Sequence, residues 1–143
     1  LHAALLRAGI ANQPTSISRE DGLRLTDVYI SASARCAPPD NKPLPEELAR
    51  CRVFLTRELM LLTRVQVILA LGKIAFDTVA QVLADAGHIA RRPKPVFGHG
   101  VICAAGPYAL AGCYHPSQRN TSTKLVTPEM YDQMFGRVKA MLK

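Results

Sequence analysis

The sequence contains no apolar run approaching the ~18 residues that a membrane span requires. No basic-then-apolar leader ends in a small-residue cleavage site, so neither a membrane nor a secreted class is expected. Cysteine is scarce. Four of them (Cys36, Cys51, Cys103 and Cys113) are too few for a disulfide scaffold in so aliphatic a chain, and a cytosolic thiol or metal-binding use fits better. The nine glycines and ten prolines show neither a repeat period nor a low-complexity tract, which excludes collagenous and disordered classes. Acidic residues are in deficit, with eleven Asp and Glu against eighteen Lys and Arg, and the net charge is +7. That balance favours a polyanionic partner, because cations that neutralise phosphates release counterions. A Ser-His-Asp arrangement, a helical His-Glu motif and a paired-carboxylate signature are all missing.

What is present describes one globular domain: 143 residues, 48% apolar and 20% charged. A chain of this length buries roughly two-thirds of the surface its unfolded form exposes. It opens directly on a helical pattern, Leu1, Leu5 and Ala8 with Gly9 as a stop, and neither Met nor an N-cap residue precedes it. A longer protein whose front is missing here is therefore expected. Residues 10–26 are polar and turn-rich, a connecting loop. Val28-Tyr29-Ile30 opens an expected strand that continues to Ala34, and the prolines between Cys36 and Pro43 forbid regular structure. Pro45, Glu46 and Glu47 suit the first turn of a helix reaching about Thr63, with Leu48, Val53, Phe54, Leu55, Leu59 and Leu62 as its apolar positions. Val65 to Leu71 reads as a strand covered on both faces, followed by a helix from Lys73 to Ala86 closed by Gly87. A basic, proline-broken loop (Arg91, Arg92, Pro93, Lys94, Pro95) leads to Phe97-Gly98-His99-Gly100, where the glycines on either side of His99 suit close approach of another chain, with a structural role as the alternative. Two strand-like segments, Val101 to Ala105 and Tyr108 to Tyr114, flank Gly106-Pro107. A polar loop then runs to Thr127, and a last helix starts at Pro128 with Met130, Met134 and Val138 on one face.

Alternation of strand and helix predicts an α/β fold with a parallel sheet and helices on both faces. Ligands in such sheets sit beyond the carboxyl ends of the strands. Three segments fall at that edge: Arg35 to Pro43, Gly72-Lys73, and His115 to Lys124. In the last, Pro116 stiffens the backbone after His115, so the imidazole can be aimed to donate a hydrogen bond to a leaving group that becomes an anion. Ser117, Arg119, Asn120, Thr121, Thr123 and Lys124 can hold phosphate oxygens; a surface loop whose histidine caps a strand end is the plainer alternative. Cys36 and Cys51 are separated by fourteen residues, which permits metal ligation but supplies only two thiolates. Cys103 and Cys113 lie in apolar, strand-like surroundings and suit a core. Gly72-Lys73 offers a strand-to-helix turn without the glycine-rich string of a phosphate loop.

Five strings occur in order along the chain: Asp27-Val28-Tyr29-Ile30, Ala34-Arg35-Cys36-Ala37-Pro38-Pro39-Asp40-Asn41-Lys42-Pro43, Leu69-Ala70-Leu71-Gly72-Lys73-Ile74-Ala75, Phe97-Gly98-His99-Gly100 and His115-Pro116-Ser117-Gln118-Arg119-Asn120-Thr121. Together they resemble the uracil-DNA glycosylase superfamily, most closely its iron–sulfur branch called family 5 or type b. The resemblance implies a three-layer α/β/α sandwich with a central parallel sheet, spanning 1–143 as a single N-terminally incomplete domain. It implies hydrolysis of the N-glycosidic bond of uracil, and of other deaminated bases, in double- and single-stranded DNA at the start of base excision repair. His115 would stabilise the departing base, and Ser117, Gln118, Arg119, Asn120 and Thr121 would press into the duplex beside the everted nucleotide. Asn41 and Lys42 would join the DNA-binding surface. Cys36 and Cys51 would be two of four ligands of a 4Fe-4S cluster, the others coming from a Cys-x-x-Cys upstream. A cytoplasmic, nucleoid-associated monomer without a membrane partner goes with this reading. The family's glycine-rich, water-positioning motif would precede Leu1, so these residues by themselves are expected not to cleave. The rivals are a non-catalytic DNA-binding iron–sulfur module of the same fold and a zinc-dependent α/β enzyme.

Two positions depart from the family pattern. Lys124-Leu125 stands where relatives carry Gly-Arg, which puts a phosphate contact by Lys124 in question. Ala32 matches a position where sister families carry an Asn that reads the uracil edge, and a methyl group cannot make that pair of hydrogen bonds. Base choice is therefore expected to be relaxed. In a nicking assay the full-length protein should cut duplexes containing uracil and hypoxanthine alike, and strict dependence on uracil would contradict this.

Overall fold

A computed structural model describes residues 1–34 and 43–142. In chain order the elements are α1 (His2–Arg7), α2 (Pro45–Leu61), β1 (Val67–Leu71), α3 (Lys73–Asp85), β2 (Ile102–Ala105), β3 (Tyr108–Cys113), α4 (Gln118–Ser122) and α5 (Pro128–Met141). They fall into two compact units, Ser31–Cys113 and a discontinuous one made of Leu1–Ile30 with Tyr114–Lys143.

The Ser31–Cys113 unit is built on a three-stranded sheet of order β1-β3-β2. β3 pairs in parallel with β1, from Val67 opposite Ala109 to Leu71 opposite Cys113. Its other edge pairs antiparallel with β2, from Ile102 opposite Ala111 to Ala105 opposite Tyr108. The expectation of a parallel sheet thus holds for β1 and β3 and fails for β2. The reason is the connection: only Gly106 and Pro107 separate β2 from β3, and two residues can reverse a chain but cannot carry it back for a parallel crossover. Gly106 takes φ +62° at the first turn position, a conformation glycine adopts without steric cost.

α3 packs on β1 and β3, and α2 packs on α3. Phe76, Val79, Ala80 and Leu83 recur at helical spacing and are buried with Leu55, Ala70, Ala105 and Leu110. Phe97 packs its ring against Phe76 at 5.6 Å between centroids. α2 starts as its sequence implies, with Pro45 in the first turn and the Glu47 carboxylate accepting the Leu44 N–H at 2.8 Å. Its buried residues are Cys51 and Leu55, whereas Val53 and Phe54, expected as apolar contacts, are exposed. Residues 51, 55 and 59 share one face, and 53 lies about 200° round the helix from 51. The Phe-Gly-His-Gly loop lies on β3: the Gly112 N–H donates to the Val101 carbonyl and the Gly100 N–H to the Gly112 carbonyl, both at 2.9 Å. Of the two roles open for these glycines, the structural one is seen here, as close approach to this chain's own strand.

In the other unit α1 packs on α5. Arg7 pairs with Asp132 at 2.8 Å, and the Lys139 ammonium donates to the Ala8 carbonyl, one of the acceptors the end of α1 leaves open. Tyr131, Met134 and Phe135 form the buried stripe of α5. Residues 10–26 are a loop, as expected, organised by side chains. Asn12 bonds the Gly22 carbonyl and the Arg24 N–H, and Asp21 accepts the Ile17 and Leu23 N–H groups, which hold its carboxyl below the usual carboxylate value.

The strand expected over 28–34 is not formed among the described residues. Val28, Tyr29 and Ile30 are exposed, in irregular backbone. β-branched and aromatic residues favour a strand, but that propensity alone does not form one.

A Cβ at Gly112 would lie 2.8 Å from the Gly98 carbonyl oxygen, whereas one at Gly136 in α5 would meet nothing within 4 Å. Gly112→Ala should therefore destabilise by about 1–3 kcal/mol through overpacking. Gly136→Ala should stabilise by roughly 0.4–1 kcal/mol through lost unfolded-state freedom. Equilibrium denaturation of each variant measures both.

Candidate active site

β3 ends at Cys113, and the chain continues through Tyr114 to His115. Pro116, the next residue, has no backbone N–H to donate. His115 is exposed, so its ring is accessible to a large ligand. The sequence pattern suggested an irregular polar loop after Pro116. The structure instead has a short helix, α4, because Ser117 takes an extended N-cap conformation (φ −72°, ψ 154°) and its Oγ accepts the Asn120 N–H at 3.1 Å.

Within this turn the polar side chains are largely committed to backbone. Asn120 Nδ2 donates to the His115 carbonyl at 2.9 Å, and Thr121 Oγ1 donates to the Ser117 carbonyl at 2.9 Å. Thr123 Oγ1 donates to the Arg119 carbonyl at 2.8 Å. Lys124 ends the helix with φ +59°, and Val126 behind it is buried and donates to the Asn120 carbonyl. A second brace comes from α5, where the Tyr131 hydroxyl donates to the Tyr114 carbonyl at 2.7 Å. Tyr131 is buried, with its ring stacked on Phe135 at 6.2 Å between centroids.

The structure therefore gathers His115, Ser117, Gln118, Arg119, Asn120, Thr121 and Lys124 on one ordered turn. Gln118, Arg119, Thr121 and Lys124 are exposed on it, and Ser117 and Asn120 are half-buried. Between 115 and 124 there are two cations and no acid, so the local field favours an anion. Ala32 is exposed in irregular backbone. Cys36, Asn41 and Lys42 lie outside the described residues. Cys51 is buried on α2. Among the described residues no three His, Cys, Asp or Glu side chains come together as a metal site. Cys113 is fully buried in β3 and Cys103 packs half-buried against the core, as their apolar surroundings implied. Gly72 lies at the carboxyl end of β1, where its N–H donates to the Cys113 carbonyl at 2.7 Å, and Lys73 pairs with Asp77 one turn along α3. The sequence reading missed Tyr131. Only its place in the buried stripe of α5 was open to detection, since a hydroxyl's partner seventeen residues away leaves no trace in a pattern.

Comparison with known proteins gives a consistent picture. A family model described as the uracil DNA glycosylase superfamily matches residues 1–139. A type-5 uracil-DNA glycosylase of Mycobacterium tuberculosis is 42% identical over 143 residues, covering 99% of this chain and 52% of that protein. That of Mycobacterium leprae is 43% identical over 145 residues, covering 99% and 61%. That of Thermus thermophilus is 39% identical over 142 residues, covering 99% and 62%. The chain spans roughly half to three-fifths of the length of these curated relatives.

Proposed function

The chain belongs to the uracil-DNA glycosylase superfamily, and from that premise we propose that the protein, taken whole, is a DNA repair glycosylase that removes uracil and other deaminated bases. The observation that carries this reading is the ordered, cationic turn holding His115. A base inside a duplex is out of reach, so it must be everted at a cost of a few kcal/mol. Hydrolysis breaks the bond between the sugar C1′ and the base nitrogen. The electron pair leaves with the base, the sugar gains oxocarbenium character, and water adds to C1′ while its proton ends on the base. His115 donates a hydrogen bond to the oxygen of the base on which negative charge develops, and a donor already in place costs no reorganisation. Arg119 and Lys124 supply charge that attracts the phosphodiester backbone, and the 117–121 turn meets the strand beside the gap. Asn41 and Lys42 are proposed to bind DNA as well. The group that positions the attacking water comes from outside these 143 residues. The setting is the cytoplasm at the nucleoid, with the protein acting as a monomer on double- and single-stranded DNA.

Cys36 and Cys51 are proposed to hold a 4Fe-4S cluster together with two thiolates from outside this chain. The donor chemistry fits, since thiolate sulfur is the ligand such clusters take, and a buried Cys51 on a capped helix is a stable anchor for one corner. When bound, the cluster supplies a cross-link that ties the loop before α2 to its ligands, and hydrolysis itself asks for no electron transfer.

In the full-length protein, His115→Ala should slow single-turnover uracil excision by about 10²–10³-fold while leaving DNA affinity in place. A parent protein that binds DNA and cuts nothing would instead establish a non-catalytic module. Full-length protein purified without air should be brown and contain iron and sulfide, and Cys51→Ser should lose both colour and iron. A colourless parent loaded with zinc would overturn the cluster.

A further inference from the structure

A side chain leaves the backbone along the Cα–Cβ bond, and that direction is set by the two peptide planes that meet at the Cα. At His115 one plane carries the Tyr114 carbonyl and the other carries the His115 carbonyl. Each accepts a side-chain hydrogen bond: the first from the Tyr131 hydroxyl at 2.7 Å, the second from Asn120 Nδ2 at 2.9 Å. The second plane also contains the ring nitrogen of Pro116, which locks the following φ. Both donors are themselves held. Tyr131 is 6% exposed and stacked on Phe135, and the Asn120 backbone is held by the Ser117 cap. Two side-chain donors thus converge on the two peptide planes that flank the histidine.

We propose that Tyr131, with Asn120 as its counterpart, is a positioning residue that fixes the direction in which the His115 imidazole leaves the backbone. This rests on the glycosylase reading above for its consequence in catalysis, because a donor misplaced by ~1 Å loses on the order of 10²-fold in rate. In this role both act through His115.

The test is Tyr131→Phe in the full-length protein, which keeps the stacked ring and deletes one hydroxyl. Single-turnover uracil excision is expected to fall between about 10- and 100-fold, with DNA affinity unchanged. In a His115→Ala background the same substitution should have no further effect, because the interaction it serves is gone. An equal loss in both backgrounds would assign Tyr131 a general structural role and overturn the proposal. The ring Cε1–H signal of His115, followed by NMR, should shift or broaden in Tyr131→Phe, and an unchanged signal would also overturn it. That signal separates the two claims: a parent that excises no uracil refutes the glycosylase reading, while the His115 resonance still decides the brace. Should Tyr131→Phe not fold, Asn120→Leu removes the opposite donor at similar size and is read by the His115 resonance, where an unchanged signal overturns the proposal.

Discussion

The constraint on which the described structure depends is that β3 must satisfy neighbours on both edges at once. It pairs in parallel with β1 and antiparallel with β2, and Leu110, Ala111 and Cys113 are completely buried along it. A strand in that position has no room for error in register, because a slip of one residue would turn its buried side chains to the opposite face. Its far end is fixed by backbone contacts: the Cys113 carbonyl accepts from Gly72, and Gly112 exchanges hydrogen bonds with the loop that precedes β2. The chain that leaves this pinned end is Tyr114-His115-Pro116.

From that point the logic changes from sheet pairing to side-chain bracing. Ser117 caps α4, Asn120 reaches back to the His115 carbonyl, and Tyr131 holds the Tyr114 carbonyl from α5. Ser117 and Asn120 were expected to face DNA, from their residue types and from the family resemblance. Part of their hydrogen-bonding capacity is instead spent within the turn, and Gln118, Arg119 and Lys124 are among the exposed groups able to meet phosphates. A turn organised in this way presents its histidine from a firm base. Preorganisation of that kind is what makes a hydrogen-bond donor effective against developing charge.

Helices α1, α2, α3 and α5 were readable because their signals are local: proline and acids at Pro45–Glu47, apolar spacing through Phe76–Leu83, and Gly87 after the last turn. β1 and β3 showed themselves as short apolar runs. The orientation of β2 was misread although its cue was present, since a two-residue Gly-Pro connection forces an antiparallel return. Residues 28–34 misled in the opposite direction: Val28, Tyr29 and Ile30 carry strand-forming side chains, but their described backbone is irregular and exposed. α4 was missed because five polar residues give no periodicity, and only the Ser117 cap distinguishes them from a loop.

The sequence by itself determined the family, through strings that fall in order from Asp27 to Thr121, and it singled out His115 and the cationic run after it. Those are properties of residue identity and spacing, which a linear chain displays in full. Tertiary structure alone decided that Gly112 must lack a side chain because the Gly98 carbonyl occupies its space, and that Tyr131 and Asn120 brace the histidine. Each of these turns on which backbone group a distant residue meets, and a hydrogen bond across seventeen positions exists only once the folded chain has brought its two ends together.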